Sequence, residues 1–218
     1  MIDYKNFDWG QSSEEWRKHA AREVLVEKIY EKYFPVEKGD IVVDLGASVG
    51  DFIWSIKDKN PKHCWAVEPL DSYFDTLQKN LLGNPVSFVK AAISSDKMVE
   101  IQWDGMISKP RVLSFKEFID ENNIKHIDFL KIDCEGGEYS VFAPSNIEYL
   151  KNVKKIATEF HLHGHVGKAK FRVFRDEILS QFEKVIVRST DDVNIEWDLY
   201  NEHFLEYYNE VLIYIDNR

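Results

Sequence analysis

Cysteine is nearly missing from this chain: Cys64 and Cys134 are the only two in 218 residues. Two thiols cannot build the disulfide framework of a small secreted domain, and no CxxC pair offers a zinc knuckle, so both are expected as reduced, packed thiols. Long apolar runs are lacking too. No stretch approaches the roughly 18 uninterrupted apolar residues of a membrane helix, and the opening MIDYKNFDWG lacks the basic-then-apolar order of a signal peptide. A cytoplasmic protein with no membrane partner is the expectation. Basic charge is in deficit: 28 lysines and arginines face 38 acids, a formal charge of -10, so a phosphate backbone would meet a repulsive field. No nucleic-acid partner is expected. Finally, no Pro/Gly/Ser-rich linker, repeat or low-complexity tract divides the chain.

What is present suits one α/β domain. Apolar residues make up 44% of the chain, enough for a sizeable core, and short β-type runs alternate with helical ones. A first helix is expected from Ser12, with Glu15 as capping-box partner and Trp16, Ala20, Ala21, Val24, Leu25, Ile29 and Tyr33 spaced by threes and fours until Pro35 and Gly39 end it. That makes residues 1–38 an N-terminal helical extension packing on a domain at 39–218. Strands are expected at 40–45, 63–68, 86–90, 127–132, 153–160, 184–189 and 211–215, with an extra one at 98–103. Helices at 71–82, from a Ser114/Glu117 capping box to about 122, and at 168–182 alternate with them. Strand, helix, strand implies a mostly parallel, doubly wound sheet with ligand sites at the strands' carboxyl ends. Nothing helical separates the last two strands, so they are expected as an antiparallel C-terminal hairpin with a long loop.

The sharpest motif is Asp44-Leu-Gly46-Ala-Ser48-Val-Gly50, between a strand and a helical run. A dinucleotide fingerprint needs GxGxxG, and Ser48 occupies the second glycine's place, so a pyrophosphate fits poorly. Asp44 at the strand end favours a cationic ligand instead. One βαβ step later, 68 - 44 = 24 residues on, Glu68 is placed to accept ribose hydroxyls, although a strand-end carboxylate can also be merely solvated. The fourth strand ends in Asp133-Cys-Glu135-Gly-Gly-Glu138, three carboxylates within six residues. Such crowding raises at least one pKa unless a cation intervenes; Glu135 and Glu138 could also simply favour a helix N-terminus.

VVDLGASVGDF, AVEP and FLKIDCEGGEYSVF together resemble the FkbM family of S-adenosylmethionine-dependent methyltransferases, over about Asp40 to Phe160. The DxEGxE element at Asp133, Glu135, Gly136 and Glu138 is the most specific part. The resemblance implies a Rossmann-like class I methyltransferase fold, S-adenosylmethionine as cofactor and O-methylation as the reaction. Asp44, Gly46, Ser48 and Gly50 then match the cofactor loop and Glu68 the ribose acid. No acid follows the third strand at Val89-Lys-Ala-Ala92, so adenine recognition falls to backbone groups near Ala92.

The fifth strand ends His161-Leu-His163-Gly-His165, which if extended would turn three imidazoles to one side. Gly164 invites a turn, and no CxxC or HExxH spacing supports a dedicated metal site, so none is expected. His161 is expected beside Asp133 as a general base, with Asp133 and Glu135 as its competitors, though the histidines could simply be hydrogen-bonded loop residues. Lys168, Lys170, Arg172 and Arg175 form a basic cluster, either a solvated face or a contact for an anionic acceptor. The 197–208 segment, with Asp198, Glu202 and His203, either lines an acceptor pocket or covers the sheet. The expected activity is methyl transfer to a hydroxyl of a small molecule or glycan. A catalytically silent cofactor-binding scaffold and, opposed by Ser48, a nicotinamide-dependent oxidoreductase compete with it. Gly46→Val is expected to remove cofactor binding and spare the fold.

Overall fold

A computed structural model of the chain describes residues 7–103, 105–201 and 203–218. Seven strands form one sheet: β1 (Ile41–Leu45), β2 (His63–Val67), β3 (Val86–Val89), β4 (Ile127–Ile132), β5 (Val153–His161), β6 (Val185–Arg188) and β7 (Glu210–Asp216). Their order across the sheet is β3-β2-β1-β4-β5-β7-β6. Every pairing from β3 to β5 is parallel, and β7 alone runs against its neighbours β5 and β6. The last two strands pair as the expected antiparallel hairpin, but β7 slots between β5 and β6. Completing the sheet this way covers the exposed edge of β5, whose nine residues would otherwise present unpaired backbone groups.

Alternate residues of each strand feed two separate cores, as a period of two requires. Val43, Leu45, Leu130, Ile132, Ile156 and Phe160 pack under helices α4 (Phe115–Glu121), α5 (Glu138–Val141), α6 (Ile147–Lys151) and α7 (Gly164–Val173). On the other face Val42, Phe129, Ala157, Leu212 and Tyr214 meet α2 (Asp51–Ile56), α3 (Asp71–Asn80) and the N-terminal segment. The result is three layers around a parallel sheet. The α3 helix stops before Gly83 at φ +84, and α4 carries the full Ser114/Glu117 capping box.

Several boundaries differ from the sequence expectation. Ser12 does not cap α1 (Glu14–Ala20): its buried Oγ donates to the Trp9 carbonyl, and Ser13 Oγ accepts from Trp16 N instead. The helix then widens into a π-type turn over Ala21–Glu27 and ends at Lys28 in the left-handed region, φ 52, well before Pro35. A short 3-10 turn over Ile29–Glu31 follows, with all three residues buried. The extra strand is shorter, Ile101–Trp103, and pairs with Met106–Ser108 in a separate ribbon. The helix expected from 168 begins at Gly164, so His165 sits on α7 and the three histidines do not lie along one strand. The 197–208 segment covers the sheet, with Leu199, Phe204 and Leu205 in the core; Glu202 lies outside the described residues.

Candidate active site

Backbone bonds draw the carboxyl ends of β1, β2 and β4 together. Gly46 N and Ala47 N both donate to the Val67 carbonyl, at 3.0 and 2.9 Å, and Asp133 N donates to Leu45 O at 3.0 Å. At Gly46 the backbone has φ +77, and a Cβ there would stand 1.7 Å from the Asp133 carbonyl oxygen. This glycine therefore serves the meeting of two strand ends. The expectation that Gly46→Val spares the fold is corrected, because any side chain would force β1 and β4 apart.

Ser48 also has a left-handed backbone, φ 48, which costs a residue with a Cβ of order 1 kcal/mol or more and often marks a functional turn. Its amide donates to Glu68 Oε2 at 2.9 Å, Leu70 N donates to Glu68 Oε1 at 2.8 Å, and Ser48 Oγ is buried with no hydrogen bond to a described residue. Each Glu68 oxygen thus accepts one amide and keeps a lone pair for a further donor. Burial pushes this carboxyl up to about 8 in spite of the two amides.

Asp44 is placed differently from the expectation. It is fully buried beneath the loop, and Lys131, its register partner on β4, lies 3.1 Å from Oδ1. Burial pushes Asp44 up to about 7 against the pull of Lys131. The lysine Nζ also donates to Gly46 O at 2.6 Å and stands 3.7 Å from Asp133 Oδ2. Its charge, not a ligand's, answers the Asp44 carboxylate.

A cavity of about 550 Å³ opens at these strand ends, walled by Gly46, Ser48, Glu68, Ala92, Asp133 and Glu135 among others. Asp44 and Gly50 do not reach the wall: Gly50 packs under Leu77 and Leu81 at the start of α2. Trp16, Tyr73 and Trp103 add aromatic surface to it. Ala92 is on the wall, but its amide already donates to Arg111 O at 2.8 Å. Four residues on, Asp96 brings an exposed carboxylate to the same wall. Of the basic cluster only Lys170 reaches the cavity, while Arg175 turns inward to the Leu199 carbonyl.

Beside Asp133 the acidic motif folds around a histidine. Glu135 has φ 51 and Gly136 φ 103, a turn that brings Glu138, with no exposure, back beneath its own loop. There Glu138 accepts from Cys134 N at 3.0 Å, Gly136 N at 2.9 Å and His161 Nδ1 at 2.9 Å. The far ring nitrogen, Nε2, faces Glu135 Oε2 at 3.3 Å and Asp133 Oδ1 at 3.8 Å. Tyr30 Oη completes the group beside Asp133 Oδ2 and Glu159 Oε2, at 2.8 and 3.1 Å. Burial pulls the His161 imidazolium down, but the hydrogen bond and charge of Glu138, with Asp133 and Glu135 behind, push it up to about 10. This charge balance favours the imidazolium, whereas a general base at this position would need the neutral ring. Burial pushes Glu135 up to about 7, tempered by His161. His163, just before α7, lies 3.7 Å from Glu210, and His165 is exposed on α7.

Residues 44–186 match the family model described as the methyltransferase FkbM domain. The chain belongs to the FkbM methyltransferase family. S-adenosylmethionine is accordingly the cofactor of this FkbM protein, and the unpartnered Ser48 hydroxyl and the spare Glu68 lone pairs beside the cavity fit a ligand rich in hydroxyl and amino groups. Solved structures agree on the fold. Aeropyrum pernix fibrillarin, determined with natively bound S-adenosyl-L-methionine, is 14% identical with a TM-score of 0.51, over 95% of this chain and 76% of its own. A precorrin-6y C5,15-methyltransferase from Geobacter metallireducens is 13% identical at a TM-score of 0.50, over 98% and 95% of the two chains. No curated protein matches the sequence.

Four residues of this FkbM domain's site escaped the sequence reading. Lys131 carried a signal, the one cation in a strand whose other polar residue is Asp128, and Glu159 in β5 stands two before His161. Asp96 stands in a polar stretch with nothing to single it out. Tyr30 is 103 residues from Asp133 and 129 from Glu159, and no local pattern reaches that far.

Proposed function

We propose that the protein transfers the sulfonium methyl of S-adenosylmethionine to a hydroxyl of a small molecule or glycan. The observation that carries this reading is Glu135, a carboxylate on the cavity wall pushed up to about 7, because an alkyl hydroxyl is a weak nucleophile that needs a base poised near ambient pH. When bound, the cofactor supplies an electrophilic methyl group. Glu68 would accept its ribose hydroxyls with the lone pairs its two amides leave, Ser48 would offer its unpartnered hydroxyl, and Asp96 would take the adenine amine in place of the engaged Ala92 amide. Gly46 shapes the loop, and Asp44 and Gly50 support it from behind. Asp133, at the junction of cavity and histidine cluster, would face the cationic end of the cofactor.

Glu135 would take the acceptor's proton. The charged His161 ring, held by Glu138, would steady Glu135 and stabilise its ionised form. The formal charge of -10 and the acidic groups beside the cavity favour an acceptor that is neutral or cationic over a nucleic acid.

Transfer of labelled methyl from S-adenosylmethionine across hydroxyl and amine acceptors tests the reading. Methyl ethers are the expected product, with turnover rising as pH passes through about 7 and Glu135 ionises. Glu135→Gln should lower turnover about 10²- to 10⁴-fold while changing cofactor affinity little. Methylated amines alone, or full turnover in Glu135→Gln, would overturn it.

A further inference from the structure

Side chains from the ends of β4 and β5 converge on one ring nitrogen, which faces Glu135 Oε2 at 3.3 Å and Asp133 Oδ1 at 3.8 Å; a cation bound there takes the place of the ring's second proton and of its charge beside Glu135. His161 is 5% exposed, and its Nε2 makes no hydrogen bond to any described residue, although Nδ1 is held by the wholly buried Glu138. The Tyr30 hydroxyl sits against Asp133 Oδ2 and Glu159 Oε2, so Asp133 Oδ1 and Glu159 Oε1 receive no hydrogen bond from any described residue either. The three residues form one group: Asp133, Glu159 and His161 each offer a ligand atom within 4.8 Å of the other two. Glu135, His161 and His163 satisfy the same condition on the solvent side.

We propose that Asp133, Glu159 and His161 bind a divalent cation that accepts mixed oxygen and nitrogen donors, Mn²⁺ or Zn²⁺, with Glu135 and His163 at its open face. Donors around such an ion at about 2.1 Å lie roughly 3 to 4.2 Å apart, so small side-chain movements close the shell. The outer partners are already in place. A ligating histidine ordinarily donates its second N–H to a carboxylate, and Glu138 accepts that bond from Nδ1 at 2.9 Å. The Tyr30 hydroxyl, between Asp133 Oδ2 and Glu159 Oε2 at 2.8 and 3.1 Å, holds the two carboxylates side by side. Asp133 Oδ2, which faces Lys131 at 3.7 Å, is the oxygen turned from the site, and Asp44 shares that lysine's charge. An entry path exists, since the side chains of Asp133, Glu135 and His163 are 26%, 44% and 58% exposed.

The sequence expectation of no metal rested on motif spacing, and these ligands have none. Glu159 and His161 are two apart on one face of β5, and Asp133 follows Ile132, which pairs with Thr158 across the β4–β5 ladder. Because Asp133 and Glu135 also line the cavity, a cation here would hold an acceptor oxygen and lower its proton affinity. That use rests on the O-methylation reading; the site itself does not.

Titration of the full chain with Mn²⁺ near neutral pH, followed by loss of the free-ion electron paramagnetic resonance signal, tests it without S-adenosylmethionine or acceptor. One Mn²⁺ per chain is expected, displaced by Zn²⁺, and weakened about tenfold or more in both Glu159→Gln and His161→Gln. Thermal melting verifies that each variant is folded, and the two together guard against loss of one by misfolding. No saturable binding by the wild-type chain, or affinity within about twofold of it in both folded variants, overturns the site. Methyl transfer is scored separately, so a bound ion without ether formation would defeat the O-methylation reading and leave the metal site standing.

Discussion

Lys131 shows how one residue can organise a site it never catalyses. Its ammonium is buried among Asp44, Asp133 and Asp51, and the Gly46 carbonyl fixes its position. Removing one member of a buried charge group leaves the others uncompensated, which is more costly than never having built it. Lys131→Met is therefore expected to destabilise the fold by about 3–5 kcal/mol, and adding Asp44→Asn should restore part of that loss. Urea midpoints at constant m-value measure both; equal stability of Lys131→Met and wild type would refute the assigned role. Tyr30→Phe should cost about 1–3 kcal/mol, since two buried-edge carboxylates lose the one hydroxyl between them. Glu68 and the acidic loop were legible from strand ends and spacing. What these residues touch was not, because Lys131 acts across a ladder and Tyr30 across more than a hundred residues.

At the scale of elements, the sequence was read most reliably where a local bond decides the outcome. The Ser114/Glu117 box is such a case: Ser114 Oγ accepts from Glu117 N, and Glu117 returns to Ser114 N. Ser114→Ala should cost about 1 kcal/mol, seen as a lower urea midpoint with m unchanged. No loss would mean that packing of Phe115 and Phe118 alone fixes the start of α4. The Ser12/Glu15 pattern looks the same in sequence, but burial of Ser12 against the Trp9 carbonyl handed the cap to Ser13. Tertiary packing likewise stopped the first helix at Lys28, where the turn sends Tyr30 towards β4 and β5. At α7 the misread boundary mattered most, because starting at Gly164 it carries His165 away from the site and leaves His161 alone on the strand.

The whole molecule stores several carboxyl groups in positions that favour their neutral form. Burial pushes Asp44, Asp51 and Glu68 up to about 7, 6 and 8, from ordinary values of 3.8, 3.8 and 4.5. Between those limits the folded chain binds more protons than the unfolded one, so these groups favour folding at acid pH and lose that contribution as pH rises to about 8. The melting temperature near pH 5.5 should accordingly exceed that near pH 8.5, and the gap should narrow in Glu68→Gln. A melting temperature that climbs across this range would contradict the burial of these charges.

The order of the sheet explains why three strand ends, the acidic motif and the histidine share one edge: β1, β2 and β4 are neighbours, and β5 follows β4. That arrangement was readable from the alternation of strands and helices, whereas the insertion of β7 between β5 and β6 has no local signal. The central assignment is that this edge holds S-adenosylmethionine with Glu68 on its ribose. Titration calorimetry of the cofactor against the wild-type chain and folded Glu68→Ala examines it most directly. One molecule bound per chain is expected, about tenfold or more weaker in the variant, because two ribose hydrogen bonds of roughly 1 kcal/mol each are lost. Affinity within about twofold of wild type in Glu68→Ala, or no binding by the wild-type chain, would contradict it.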